Sequence, residues 1–138
     1  MNKKKEEEIS RNKKHELIMQ CIYSKLSFND IEYNVNINTI SKNIFKKNLD
    51  KFSKNIILKV IDHFDEITLA IEKKLINWKF NRISNITKAI LFMSYAHYKY
   101  VEKIDKAIII NIAIKLAKKY LDANDYKFIN GILDKILN

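Results

Sequence analysis

Between residues 109 and 120 the chain reads Ile109-Ile110-Asn111-Ile112-Ala113-Ile114-Lys115-Leu116-Ala117-Lys118-Lys119-Tyr120. Apolar side chains at 109, 112, 113, 116, 117 and 120 recur at the spacing of one helical face. Lys115, Lys118 and Lys119 fall outside that face, in the last turns, where cations favour the helix dipole. The spacing predicts an amphipathic helix ending near Leu121.

The same period extends outward in both directions. Asp122 to Asp125 offers several N-caps, after which Phe128, Ile129, Ile132, Leu133, Ile136 and Leu137 predict a final amphipathic helix. Toward the N-terminus, Ile86, Ala89, Ile90 and Met93 follow the i, i+3, i+4, i+7 pattern behind Ser84 or Asn85 as cap. From Asn55 onward Ile57, Val60, Ile61, Phe64, Ile71 and Leu75 place an apolar stripe on what reads as one long, central helix. Leu17, Ile18, Cys21 and Ile22 predict a first helix beginning near Ile9 or Ser10. The Asn-rich stretch over about 27–44 shows little periodicity and reads as a mobile connection or a broken helix. One glycine and no proline in 138 residues leave almost none of the punctuation of tight hairpins, so the fold class is all-α.

The length suits a single domain over 1–138, and 47% hydrophobic residues suffice to fill a core. The 26 Lys and Arg outnumber the 16 Asp and Glu, a formal charge of +10 that favours a polyanionic partner, nucleic acid first. A single cysteine and a start without an apolar run suit a reducing cytosol. Ala107 to Ile114, the most apolar stretch, falls well short of the roughly 18–20 residues of a membrane span. No phosphate-cradling glycine loop, nucleophile elbow or paired metal-ligand motif is present, so neither an enzyme nor a metal or cofactor site is expected. His15, His63 and His97 read as surface or boundary residues. Asp62, His63, Asp65 and Glu66 read as a solvated acidic face, and Cys21 as a small buried hydrophobe. Gly131, inside the final helix, reads as a place where a neighbour packs too closely for a Cβ.

Tyr126-Lys127-Phe128-Ile129-Asn130-Gly131-Ile132-Leu133-Asp134-Lys135 resembles the C-terminal signature of the NusB family of bacterial transcription antitermination factors. Asn111 to Tyr120 resembles that family's penultimate helix, and Asn77-Trp78-Lys79-Phe80-Asn81-Arg82-Ile83 its NW-x-(L/F)-x-R-(I/L) segment. Arg11 through Gln20-Cys21-Ile22-Tyr23-Ser24 is similar to its first-helix motif, with Cys21 where Ala is usual. The resemblance implies two small helical bundles, about seven helices in all, without catalytic activity. It also implies binding of boxA-type single-stranded RNA together with NusE, a small-subunit ribosomal protein. That pair would join the elongating RNA polymerase in ribosomal RNA transcription, in the cytoplasm.

Carried over residue by residue, the family's RNA contacts fall on the basic arm of about residues 1–10, with Lys3, Lys4 and Lys5, and on Arg11, Lys13 and Lys14. Glu6, Glu7 and Glu8 offset the arm locally. A second group is Asn124, Asp125, Lys127 and Phe128 at the start of the last helix, where Lys127 suits a phosphate and the Phe128 ring an unstacked base. Phe128 reads equally as a core position. The partner surface would include Tyr23, which also suits a boundary of the core. Thr87, Ala96 and His97 belong to that surface as well, where, with Phe92, the chain departs from the family's usual residues. Two other readings stand beside this one: a protein-interaction module whose RNA site has decayed, and a general basic nucleic-acid binder without boxA preference.

Overall fold

The computed structural model describes residues 10–30, 37–45 and 49–138; Lys3, Lys4 and Lys5 lie outside them. The described residues form seven α-helices and no strand: α1 (Arg11–Asp30), α2 (Ile37–Phe45), α3 (Lys51–Asp62), α4 (Phe64–Glu72), α5 (Asn85–Ala96), α6 (Lys106–Tyr120) and α7 (Ala123–Ile136). A 3-10 turn spans Phe80–Arg82, and a π-helical turn, His97–Val101, continues α5.

Four helix starts carry side-chain caps that satisfy otherwise free N–H groups. Ser10 Oγ accepts from Lys13 N at 3.2 Å before α1, and Asp50 Oδ2 from Ser53 N at 3.2 Å before α3. Ser84 Oγ accepts from Thr87 N at 3.2 Å before α5, and Asp122 Oδ1 from Asp125 N at 3.2 Å before α7.

The central helix is α5, which packs against α1, α3, α4, α6 and α7. Ala89 through His97 are all buried. A helix buried on every side lacks the single stripe read from Ile86, Ala89, Ile90 and Met93; its signal is the absence of any charge from Ala89 to Ala96. Around it α1, α2 and α3 form an N-terminal group and α4, α6 and α7 a C-terminal one, joined by one continuous hydrophobic core.

The segment expected as one long helix from Asn55 to Leu75 is two. His63, with φ −114° and ψ 23°, leaves helical geometry and separates α3 from α4. Its Nδ1 lies 2.9 Å from Glu66 Oε2, and its ring stacks on Tyr100 with centroids 3.9 Å apart. Asp65 and Glu66 fall in the first turn of α4, where carboxylates suit the dipole. The Asn-rich connection is helical in its described parts, residues 27–30 ending α1 and 37–44 lying in α2. Ile40 and Phe45 are buried there, which anchors α2 on α1.

Two further expectations change. His15 and His97 are buried, contrary to a surface reading, because each ring finds partners inside: His15 Nδ1 donates to the Arg11 carbonyl at 2.7 Å, and His15 Nε2 lies 3.4 Å from His97 Nδ1. Gly131 is exposed, and a Cβ there would meet nothing within 4 Å, so close packing does not explain it. Cys21 is fully buried and its thiol is pushed up to about 12 by burial, as a hydrophobe's would be. No helix among the described residues is long and apolar enough to cross a membrane.

Candidate nucleic-acid interface

The first turns of α1 put three cations on the surface, and each meets a carboxylate. The Arg11 side chain, about half exposed, reaches Glu102 Oε1 with Nη1 at 2.7 Å and lies over the Phe52 ring at 3.8 Å. Phe52 in turn stands edge-on to His15 and His97, and His97 Nε2 approaches Glu102 Oε1 at 2.8 Å. Arg11 is thus held by a carboxylate and a ring that the buried histidines position from below. Burial holds the His15 ring down to about 4 and lowers that of His97, with Glu102 opposing the second shift.

Lys13 Nζ lies 3.2 Å from Glu16 Oε1, and Lys14 Nζ 3.5 Å from Asp50 Oδ2. Glu16 has little exposed surface because Lys13, Lys119 and Tyr120 cover its carboxylate. Hydrogen bonds from Lys119, at 2.6 Å, and from the Tyr120 hydroxyl, with Lys13 adding to them, hold its carboxyl down to about 2. Gln20 Nε2 donates to the Tyr120 oxygen at 3.1 Å. These contacts tie the end of α6 to α1 and close the floor of a groove lined by Asn12, Lys13, His15, Glu16, Ile112, Lys115, Leu116 and Lys119. Lys115 and Lys119 extend the cationic surface of α1. Their place beside α1 was not legible from α6 alone, where they read only as dipole-favouring residues.

The second group sits at the start of α7, three residues beyond Tyr120, so the α6–α7 turn links it to the first. Asn124 and Lys127 are exposed, while Asp125 and Phe128 are half-buried. Burial, then the neighbouring Asp122, raises the Asp125 carboxyl above the usual range. Phe128 packs on the edge of the core and also faces Trp78, the ring centroids 6.1 Å apart at 56°. Together with Arg82, Ile83, Ser84, Thr87, Asn124 and Asp125, the two rings line a cleft of about 110 Å³. The cationic start of α1, the aromatic–polar start of α7 and the linking turn offer what single-stranded nucleic acid needs: cations for phosphates and a ring for a base.

The sequence profile of the NusB family matches residues 8–138. The chain belongs to the NusB family. It is 40% identical over 74 residues to the transcription antitermination protein NusB of Bacillus subtilis (strain 168), covering 54% of this chain and 56% of that one. To NusB of Clostridium botulinum (strain Alaska E43 / Type E3) it is 42% identical over 73 residues, 53% of this chain and 55% of that one. The chain thus spans about half the length of these relatives. Among solved structures, T. maritima NusB superimposes with a TM-score of 0.82 at 24% identity, covering 94% of this chain and 92% of that one. A chain from a crystal structure of antitermination factors NusB and NusE in complex with dsRNA superimposes with a TM-score of 0.77 at 22% identity, covering 94% and 98%. These matches establish the NusB fold.

Within this NusB fold, Arg11, Lys13 and Lys14 share the start of α1, and Asn124, Asp125, Lys127 and Phe128 the start of α7. The residues expected at a protein partner do not come together. Tyr23 is exposed on α1, whereas Thr87, Ala96 and His97 are each 2% exposed or less. Thr87 is turned inward by the Ser84 cap, Ala96 lies in the all-round buried part of α5, and His97 is bonded to His15 and Glu102. These three side chains offer no surface to a partner and act from inside, by shaping what surrounds them. Trp78 and Arg82, quoted above for their motif alone, are the site residues that the sequence reading left without a role. The available signal was an indole in a polar segment, 50 residues away from the ring it faces.

Proposed function

We propose that this chain is a non-enzymatic RNA-binding transcription antitermination factor, acting in the cytoplasm with NusE on boxA-type single-stranded RNA in ribosomal RNA transcription. It would meet RNA polymerase indirectly, through that assembly. The observation that carries the reading is the cationic start of α1, tied through Glu16 to Lys119 and Tyr120 at the end of α6, on the fold of a family whose relatives are transcription antitermination proteins. Arg11 suits the role best: a guanidinium presents five donors, so it can keep Glu102 and still bond a phosphate. Lys13 and Lys14 would exchange partially exposed ion pairs, each worth little, for phosphate contacts. Lys3, Lys4 and Lys5 would add to the positive charge offered to phosphates.

The test is titration of a labelled boxA-like RNA and a scrambled control, each with and without NusE, at two salt concentrations. Tighter, NusE-enhanced binding to boxA is expected. Equal binding to both RNAs and to duplex DNA would favour a general basic binder, and salt-insensitive, sequence-indifferent binding a protein-interaction module. Lys13→Ala or Lys14→Ala should weaken binding evenly across sequences and reduce the salt slope by about 1.

A further inference from the structure

His97 and Glu102 stand five residues apart, a spacing that puts side chains on different faces of an α-helix. They meet because α5 ends in the π-helical turn His97–Val101, whose wider coil brings Glu102 back toward His97. Glu102 N donates to the His97 carbonyl at 3.3 Å, and His97 Nε2 lies 2.8 Å from Glu102 Oε1. Single π-turns are rare and occur frequently at functional sites. The same carboxylate oxygen accepts from Arg11 Nη1 at 2.7 Å. The main chain of Arg11 is fastened to this cluster as well, since His15 Nδ1 donates to its carbonyl at 2.7 Å and His15 Nε2 lies 3.4 Å from His97 Nδ1. One circuit through His15, His97 and Glu102 therefore runs from the backbone of Arg11 to its guanidinium. Phe52, on α3, covers a face of that guanidinium, its ring centroid 3.8 Å from Cζ. Hydrogen bonds from His97 and Arg11 hold the Glu102 carboxyl below its usual range, so it carries its charge. Lys13 and Lys14, by contrast, each meet one carboxylate.

From this circuit we propose that Glu102 and Phe52 are positioning residues for RNA: they hold the Arg11 guanidinium ready for a phosphate, so that a carboxylate at the edge of the interface strengthens binding. A freely rotating arginine loses much rotamer entropy when it docks. An arginine already fixed on two sides does not lose it again at the moment of binding. One Nη spent on Glu102 leaves the guanidinium other donors for a phosphate. Against this stands the repulsion between Glu102 and RNA, which the pairing with Arg11 offsets and salt screens within about 8 Å. The assignment rests on the RNA-binding reading and on Arg11 as one of its contacts.

The charge of Glu102 and its grip on Arg11 are separable, because Gln keeps an oxygen that can accept from both Arg11 and His97 whereas Ala keeps neither bond. The full chain, with NusE, is titrated against a labelled boxA-like single strand and followed by anisotropy, in the wild-type background and in Arg11→Ala. Glu102→Ala should weaken binding about 3- to 10-fold, and Glu102→Gln should recover most of that loss. Phe52→Leu, which keeps much of the apolar volume, should weaken binding by a similar factor. In the Arg11→Ala background, itself weaker than wild type, neither Glu102→Ala nor Phe52→Leu should weaken it further. Circular dichroism checks that each variant is folded, and Phe52→Leu carries the test if Glu102→Ala is not. Binding by the positioning variants as tight as wild type, or tighter, would mean that the carboxylate only repels RNA and would overturn the proposal. Equal weakening in both backgrounds would assign these residues to the fold alone and overturn it too. If Arg11→Ala binds as wild type does, the positioning role falls while RNA binding stands. If no RNA binds with or without NusE, both fail.

Discussion

Gly131 occupies the exposed face of α7 with helical neighbours on both sides and open space where a Cβ would stand. A glycine there loses more backbone entropy on folding than an alanine and gains no packing in return. Gly131→Ala is therefore expected to stabilise the fold by about 1 kcal/mol, read as a higher urea midpoint at unchanged slope. At this scale the sequence was informative about apolar residues and poor about polar ones. Cys21 declared its burial by standing on a stripe, but His15 and His97 stand 82 positions apart and are buried through each other, Phe52 and Glu102. Such mutual satisfaction leaves no mark on either residue's local pattern. The place of Trp78 opposite Phe128 was hidden for the same reason: a cleft between two rings is a property of the pair.

Helix ends carry most of the information at the next scale. Asp50 both caps α3 and pairs with Lys14. Asp50→Ala is expected to cost about 1 kcal/mol of stability, the usual loss of an N-cap. It should also tighten RNA binding by releasing Lys14, so that thermal melts and RNA titrations move in opposite directions. A loss of RNA affinity in the folded variant would place Lys14 off the RNA path. The amphipathic helices α6 and α7 were legible from period alone; of the cap candidates, Ser84 or Asn85 and Asp122 to Asp125, the structure uses Ser84 and Asp122. The break at His63 was missed because the apolar period runs on through it, with Val60, Phe64, Ile67 and Ile71 facing inward on both sides. The acidic pair Asp65 and Glu66 was the available sign of a new helix start. The early stretch around 37–45 was obscured by its asparagines, although Ile40, Ile44 and Phe45 carry enough apolar surface to dock a short helix.

For the molecule as a whole, α5 is the element on which everything else is assembled. Phe92, fully buried, stacks on Phe64 at 4.8 Å between centroids and meets Phe80 edge-on at 6.2 Å. Phe92→Ala is expected to cost about 3–5 kcal/mol and to lower the midpoint of one cooperative transition, identical by far-ultraviolet dichroism and Trp78 emission. Acid acts on the whole fold too. His15 ionises near 4 when folded against an ordinary 6.5, so the unfolded chain takes up that proton first. Stability from this residue is complete above about pH 6.5 and is lost as the pH falls toward 4; His97 shifts in the same direction. Glu16, held down to about 2 by Lys119, Tyr120 and Lys13, adds a further loss below about 4.5. Urea unfolding across pH 7 to 4 should show the decline, and His15→Gln should flatten its upper part. The all-α class was legible from the near-absence of glycine, the lack of proline and the repeated period, and the count of about seven helices from the family resemblance. The hub was not, because a helix wrapped on every side has no polar face to set its phase.

The position of that hub in the chain also sets a timetable. Residues 11–62 form α1, α2 and α3, yet the surface that α1 and α3 pack on is made of residues 85–96. A ribosome adding roughly 5–20 residues per second therefore exposes the first three helices for seconds before their partner exists. Their apolar faces are vulnerable to aggregation in that interval, and the dense lysines and asparagines around them serve as the nascent chain's own solubiliser until α5 emerges.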